Sequence, residues 1–362
     1  MRFAACFLIA TALTACSPSA DSPSTDLSVV AAVAPGAETL TAPSDAGTVN
    51  LYTSRHYDTD LALYDDFTKE TGIKVNRIEA DASSLIERIA SEGEFSPADL
   101  LITVDAGNLW RAEEAGVLSS VDSEILRERV PDYLRDDDGH WFGLSTRARV
   151  IIYNKEDGLP AGLTDYEDLA DPAHAGQVCM RSSGNIYNIS LLSSVIEHAG
   201  SEVAEDWARG VVANFARRPQ SNDTGQIEAV ASGECGISVV NTYYLARYAR
   251  SEDKRLNDIV DAVGIVFPNQ DGRGTHVNIS GAGVTAHAPN RDNAVRFLEY
   301  LTEASAQEYF ANGNNEYPVV AGMSGNSDVQ ALGGFTPDSL KVSTFGPNQS
   351  EAVRIFDRVG WQ

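Results

Sequence analysis

Strand-like and helix-like patterns alternate along the chain from residue 48 onward, and this alternation limits the possible folds more than any other feature. Residues 49–53 alternate apolar and polar side chains as a strand does, and residues 73–78 and 99–104 have the composition of further strands. Between the first two, residues 58–60 can cap a helix that ends at Gly72. Strands that alternate with helices predict a largely parallel α/β sheet.

The length of 362 residues and two strand-like segments predict two lobes. A chain of this length exceeds what one simple core organises, so two domains are expected. The segments at 141–153 and 275–286 are interpreted as strands that cross from one lobe to the other. We therefore predict a first lobe of residues 48–148 plus 277–322 and a second lobe of residues 149–276 plus 323–362.

The N-terminus has the features of an export signal. Arg2 precedes an apolar stretch at 3–15, which is shorter than the roughly 20 residues that span a bilayer. Residues 13–16, Leu-Thr-Ala-Cys, resemble the lipobox of bacterial lipoproteins, in which the cysteine is lipidated; a plain signal with a chance cysteine is the alternative. We predict a lipoprotein signal peptide at 1–16 with lipid on Cys16, and a periplasmic or cell-envelope location.

Residues 17–47 contain no aromatic residue, no Lys and no Arg, and Ser, Ala, Pro, Thr and Asp dominate. Such a segment cannot bury a core, so it is predicted to be a disordered tether. Once the signal peptide and Cys16 are set aside, Cys179 and Cys235 remain. An even pair in an oxidising compartment predicts a disulfide, because no His or Cys partner lies at metal-ligand spacing.

The charge of the chain excludes some classes of partner. Lys and Arg number 27 and Asp and Glu 52, so the formal net charge is -25. Nucleic acid and anionic membrane surfaces require basic faces, and neither is expected here as a partner bound by charge. Solubility is the simplest reason for the acidity, and attraction of cations is a second one.

No sequence motif indicates an enzyme. Nucleophile-elbow, Walker and zinc signatures are absent from the sequence. Residues 281–286 match a dinucleotide-binding glycine motif only loosely, and a hinge strand of small residues is the better interpretation. An exported hydrolase that uses Asp105 and Asp223 as paired carboxylates is the least favoured alternative. We predict a binding protein.

Tyrosines follow three of the predicted strands or turns, at the sheet edge where open α/β folds bind ligands. Phenolate is a hard, anionic oxygen donor that suits ferric ion, whereas half-buried packing is an alternative role for tyrosine. The residues at these positions are His56, Tyr57, Tyr187, Tyr243 and Tyr244.

Four phenolates around a triply charged ion leave a net charge of minus one, which a guanidinium would balance. Arg247 lies one helical turn after Tyr243 and Tyr244 if the helix continues, so it shares their face. Arg147 and Arg149, on the first crossing strand, are the other residues predicted to supply this charge.

Four stretches resemble the ferric-iron-binding proteins of bacterial ABC importers, the bacterial transferrins. They are Leu-Tyr-Thr-Ser-Arg-His-Tyr at 51–57, residues 98–107, Arg-Ser-Ser-Gly-Asn-Ile-Tyr-Asn at 181–188 and Asn-Thr-Tyr-Tyr at 241–244. In that family the first-lobe pair and the three second-lobe tyrosines coordinate iron, and each position matches without a gap. The resemblance therefore implies that these five residues bind ferric ion, although in parts of this family the position of His56 does not reach the metal.

The resemblance also implies the fold and the partners. The fold would be an α/β, two-lobe type II periplasmic-binding-protein fold, in which each lobe is a mixed sheet flanked by helices and two crossing strands join the lobes. A water or small anion would complete the iron shell, and a monomeric protein would deliver Fe3+ to the permease of an ABC importer. Binding of another small solute or oxyanion in the same cleft is the alternative.

Overall fold

The structure, a computed structural model, describes residues 46–362. Residues 1–45, with the predicted signal peptide, Cys16 and most of the predicted tether, lie outside the described residues. The strands are β1 (Thr48–Thr53), β2 (Lys74–Glu79), β3 (Leu100–Val104), β4 (Phe142–Asn154), β5 (Val178–Cys179), β6 (Ile237–Asn241), β7 (Val263–Val266), β8 (Val277–Val284) and β9 (Tyr317–Pro318). None of the helices described is long and apolar enough to cross a membrane.

Strands and helices alternate as the sequence predicts up to residue 114, and beyond it helices often follow one another without a strand between them. The helices are α1 (Asp58–Thr71), α2 (Ala82–Glu92), α3 (Ala106–Glu114), α4 (Glu124–Arg129), α5 (Ile186–Ala199), α6 (Ser201–Ala213), α7 (Asp223–Ala231), α8 (Thr242–Ala249), α9 (Lys254–Asp261), α10 (Arg291–Tyr300), α11 (Ala304–Asn314), α12 (Ser327–Ala331) and α13 (Phe345–Val359).

The sheet is mixed rather than largely parallel. Its strand order is β2-β1-β3-β8-β4-β6-β5, and β7 and β9 also pair with β4. β1 pairs in parallel with β2 and β3, whereas β8 runs antiparallel to both β3 and β4. The antiparallel pairs arise because β4 leaves the first half of the fold and β8 returns to it, so the two strands run in opposite directions.

β4 joins two groups of buried side chains. Phe142 and Leu144, at its start, belong to a first core that also includes residues of β1, β3, α1 and α10. Ile151 packs with α5, α6 and α13, and Val150 and Ile152 pack with α7 and α8 on the opposite face. Successive strand residues point to opposite faces, so the apolar run at the end of β4 fills a second core on both of its sides.

Cys179 and Cys235 form a disulfide in the structure, and their Cα atoms are 5.9 Å apart. That separation lies within the normal range for a disulfide. Cys179 ends β5 and Cys235 precedes β6, so the link connects two neighbouring parallel strands of the second core.

Residues 281–286 include a buried strand end and no phosphate-binding turn. β8 is buried along its whole length between β3 and β4. A β carbon at Gly281 would lie 2.8 Å from the carbonyl oxygen of Phe142 and 2.6 Å from a methyl group of Leu109. The small residues therefore allow the close approach of neighbouring backbone and side chains.

Gly281→Ala is expected to lower the free energy of unfolding by about 1–3 kcal/mol, because the new methyl group overpacks the strand against Phe142. Urea unfolding of the purified protein measures the change. Gly334→Ala is the control, since a β carbon there meets no atom within 4 Å. Equal unfolding midpoints for the two variants would contradict the packing argument.

Candidate metal centre

The phenols singled out by the sequence lie at the start of three helices. Tyr57 is the capping residue of α1, at the end of the short loop that follows β1. Tyr187 lies in the first turn of α5, where the side chain of Asn185 accepts its backbone N–H at 3.1 Å. Tyr243 and Tyr244 lie in the first turn of α8, directly after β6. The N-terminus of a helix favours negative charge, so these positions suit anionic ligands.

The structure brings together four of the five predicted metal ligands. The hydroxyl oxygens of Tyr187 and Tyr243 are 3.3 Å apart, and the ring centroids of Tyr243 and Tyr244 are 4.2 Å apart. The guanidinium carbon of Arg247 lies 5.8 Å from the rings of Tyr57 and Tyr243 and 5.5 Å from that of Tyr244. Tyr57 comes from the first half of the fold and the other residues from the second, so the cluster spans both.

His56 lies at the outer edge of this cluster. Its side chain is exposed, and its ring stacks on that of Tyr57 with 5.3 Å between the centroids. It also lines a surface depression with Glu79 and Asp81, away from the other tyrosines. Whether His56 binds the metal therefore stays a prediction.

Burial raises the pKa of Tyr57, Tyr187 and Tyr243 above the ordinary value for a phenol. For Tyr57 the nearby Glu316 raises the pKa further, and for Tyr243 the neighbouring phenols do so. These phenols thus keep their protons at neutral pH unless a cation displaces them. A bound trication would supply the charge that makes phenolates stable in this place, and its binding would release protons.

Three guanidinium groups surround the ring of Tyr187. The guanidinium carbons of Arg147 and Arg149 each lie 5.8 Å from the ring centroid, and that of Arg181 lies 5.2 Å from it. Arg147 donates to the hydroxyl of Ser280 at 3.1 Å. Its buried Nε and Nη2 atoms have no hydrogen-bond partner within residues 46–362. Such unpaired donors fit a site that receives negatively charged oxygen atoms.

Comparison with known proteins identifies the family. Residues 62–337 match the model of the bacterial extracellular solute-binding proteins. The chain belongs to this family. The iron uptake protein A1 of Synechocystis sp. is 52% identical to it over 328 residues, which cover 91% of each chain.

Solved structures of similar proteins extend this result. A Trichodesmium protein (IdiA, FutA), solved in complex with iron and citrate ligands, is 54% identical to this solute-binding protein with a TM-score of 0.85, over 87% of this chain and 100% of the other. The ferric binding protein from Campylobacter jejuni is 40% identical with a TM-score of 0.82, again over 87% and 100% of the two chains.

These matches confirm two predictions made from the sequence, the resemblance to ferric-binding proteins and the type II periplasmic-binding fold. They also confirm that the solute-binding protein is exported and that it is not an enzyme. The two carboxylates considered for a hydrolase are both engaged in hydrogen bonds or ion pairs within the protein. Asp223 pairs with two arginines, and Asp105 accepts hydrogen bonds from Ser190 and Asn278.

The sequence did not predict the ion pairs that fix Arg149 and Arg181 beside Tyr187. Asp223 is completely buried, and its two oxygens lie 3.3 Å from Arg149 and 3.2 Å from Arg181. Its carboxylate also accepts the backbone N–H of Asn241 at 3.0 Å. Arg181 belongs to the conspicuous segment at 181–188, which was its only signal in the sequence. Asp223 was considered only as a hydrolase carboxylate, and nothing in the sequence indicated its ion pairs, because its partners lie far along the chain.

Near Tyr57, Arg55 is held by buried ion pairs, as Arg149 and Arg181 are near Tyr187. Its guanidinium carbon is 4.9 Å from the ring of Tyr57, and it pairs with Asp60 at 2.9 Å and with Glu316 at 3.1 Å. All three charged side chains are buried. The first-half tyrosine is therefore supported by its own paired guanidinium, as Tyr187 is supported by Arg149 and Arg181.

Asp223→Ala is expected to lower the free energy of unfolding by about 3–5 kcal/mol, because it leaves two buried guanidinium groups without their counter-ion. Urea unfolding of the iron-free protein measures the loss. Asp271→Ala, at an exposed aspartate, is the control and should change stability little. A loss below 1 kcal/mol at Asp223 would show that the pairs are not needed to stabilise the fold.

Proposed function

We propose that this solute-binding protein holds one ferric ion with the phenolates of Tyr57, Tyr187, Tyr243 and Tyr244 and delivers it to an ABC importer. The observation that carries the proposal is the convergence of these phenols from three helix starts, because Arg247 lies beside three of the rings and the hydroxyl of Tyr187 lies 3.3 Å from that of Tyr243. The names of similar proteins support it, since they describe iron uptake and ferric binding. Binding of an organic solute or a free oxyanion is not favoured by these relatives.

The charges in the site agree with a trivalent cargo. Four phenolates exceed the charge of Fe3+ by one, and Arg247 lies beside three of the four rings. Arg147 and Arg149 add positive charge beside Tyr187. A water or a small anion would complete the shell, and the free N–H groups of Arg147 support an anionic one. The Trichodesmium structure contains citrate together with iron.

The predicted division into two lobes implies that the site closes when the lobes approach each other. In the proposal, residues 48–148 plus 277–322 form the first lobe and residues 149–276 plus 323–362 the second. The grouping of the buried side chains supports this division, although Val342 and Phe345 pack with the first core. Tyr57 would then reach the three second-lobe phenols only when the lobes close, so closure and coordination would occur together.

A lipid on Cys16 would keep the protein at the membrane that contains the permease. Residues 17–47 would serve as the tether, and the protein would act as a monomer. The family supports export and an importer context, whereas lipid attachment and the identity of the permease remain part of the proposal.

The purified protein is expected to develop a visible absorption band when it is given ferric citrate, because phenolate-to-iron charge transfer colours such sites. Tyr187→Phe and Tyr243→Phe should each weaken the band and lower the affinity for ferric ion by at least tenfold, since each removes an anionic ligand. Titration followed by absorbance and by metal analysis measures both effects.

Tyr248→Phe is the matched control for these two variants. Tyr248 lies on α8 one turn after Tyr244, but its hydroxyl bonds to Glu228. It should keep the wild-type band and affinity. A wild-type protein that stays colourless and binds no ferric ion would refute the proposed function.

His56 is proposed as the outermost ligand, and a comparison with Tyr57 tests its role. His56→Ala should weaken ferric binding less than Tyr57→Phe does, because an imidazole ligand supplies no negative charge and this one lies exposed beside the phenols. The affinity and the position of the visible band are measured for both variants. If His56→Ala leaves both unchanged, His56 is not a ligand.

A further inference from the structure

Asp105 has the most unusual backbone in the described part of the chain. It follows β3 with φ 78° and ψ 126°, outside the region that non-glycine residues tolerate. The other described non-glycine residues with positive φ are Asn269 and Asn315, and asparagine adopts such angles more readily. A strained aspartate that is completely buried requires compensating contacts, and the structure supplies them.

The carboxylate of Asp105 receives hydrogen bonds from three directions. The backbone N–H of Gly107 donates at 2.9 Å and caps α3, and the side chain of Asn278 on β8 donates at 2.9 Å. The hydroxyl of Ser190 on α5 donates at 2.6 Å. Burial raises the pKa of Asp105, whereas the Ser190 hydrogen bond and the charge of Arg147 act in the opposite direction.

The bond to Ser190 connects the two halves of the fold. α3 and β3 pack in the first core, whereas the residues on either side of Ser190 pack in the second. Ser190 lies one helical turn after Tyr187 on α5, so the two side chains share a face of the helix. A second contact lies beside it, since Gln349 of α13 donates to the carbonyl of Gly107 at 2.9 Å.

We infer that Asp105 is a positioning residue for the metal centre: through Ser190 it ties the helix that carries Tyr187 to the first core in the closed, iron-holding arrangement. This inference rests on the proposed function. Asp105 does not touch the phenols itself. It fixes the position of Tyr187 relative to Tyr57, which comes from the other half of the fold, and thereby slows the separation that releases the ion.

Ser190→Ala tests the connection without disturbing the cap of α3. Iron-loaded protein is mixed with an excess of EDTA, and the decay of the visible band gives the rate of iron release. Ser190→Ala should release iron about tenfold faster than wild type, as expected for loss of a buried hydrogen bond to a charged acceptor. Ser194→Ala is the matched control, because its buried hydroxyl bonds within α5 to the carbonyl of Leu191.

Asp105→Gly provides a second, independent variant. Glycine adopts a positive φ without strain, and this gain offsets the loss of the three hydrogen bonds to the carboxylate, so the unfolding midpoint of the iron-free protein should stay near that of the wild type while iron release accelerates as in Ser190→Ala. A purely structural role for Asp105 would instead lower the midpoint and leave the release rate unchanged.

The outcomes separate this inference from the proposed function. If the wild type binds ferric ion and both Ser190→Ala and Asp105→Gly release it at the rate of Ser194→Ala, the positioning role is refuted and iron binding stands. If the wild type forms no coloured ferric complex, the proposed function itself fails. Faster release in both variants, with the control unchanged, supports the inference.

Discussion

The antiparallel pairing of β4, first with β8 and then with β6, is the interaction on which the rest of the structure depends. It carries the chain from one core to the other and holds the two halves of the sheet in register. Because strand residues alternate between faces, Arg147 and Arg149 share a face with Ile151, which packs against α5. The strand that joins the two cores thus also presents two guanidinium groups to the ring of Tyr187.

Those buried charges make the empty site and the loaded site electrostatically different. Arg149 and Arg181 share the single carboxylate of Asp223, so one positive charge remains between them, whereas Arg147 is hydrogen-bonded only to the hydroxyl of Ser280 among the residues described. A buried charge without a partner is costly. While burial keeps the phenols protonated, these three arginines keep an excess of positive charge over the carboxylates of Asp223 and Asp105. Phenolates around a trivalent ion would leave one negative charge to balance it, so the arginines favour the loaded form and disfavour the empty one.

The features of the site that were predictable from sequence are those set by local chain geometry. Tyr57, Tyr187 and the Tyr243–Tyr244 pair follow strands or polar turns and begin helices, which alternation and capping residues indicate. The ion pairs of Asp223 and the direction of β8 depend on how distant segments pair, and a single sequence contains no direct record of that. The exposure of His56 is likewise a tertiary result, since its neighbour Tyr57 in the same loop is half-buried.

Asp105 shows why such tertiary features matter for function. By local preference this position should be glycine, since φ 78° strains a residue with a β carbon. Glycine, however, would lack the carboxylate that accepts hydrogen bonds from β8, from the start of α3 and from Ser190. The strain is therefore maintained by contacts that link the two cores. Since Ser190 lies one turn from Tyr187, a displacement of Asp105 moves the phenol as well, and the geometry that would hold the ion begins at a residue that does not touch it.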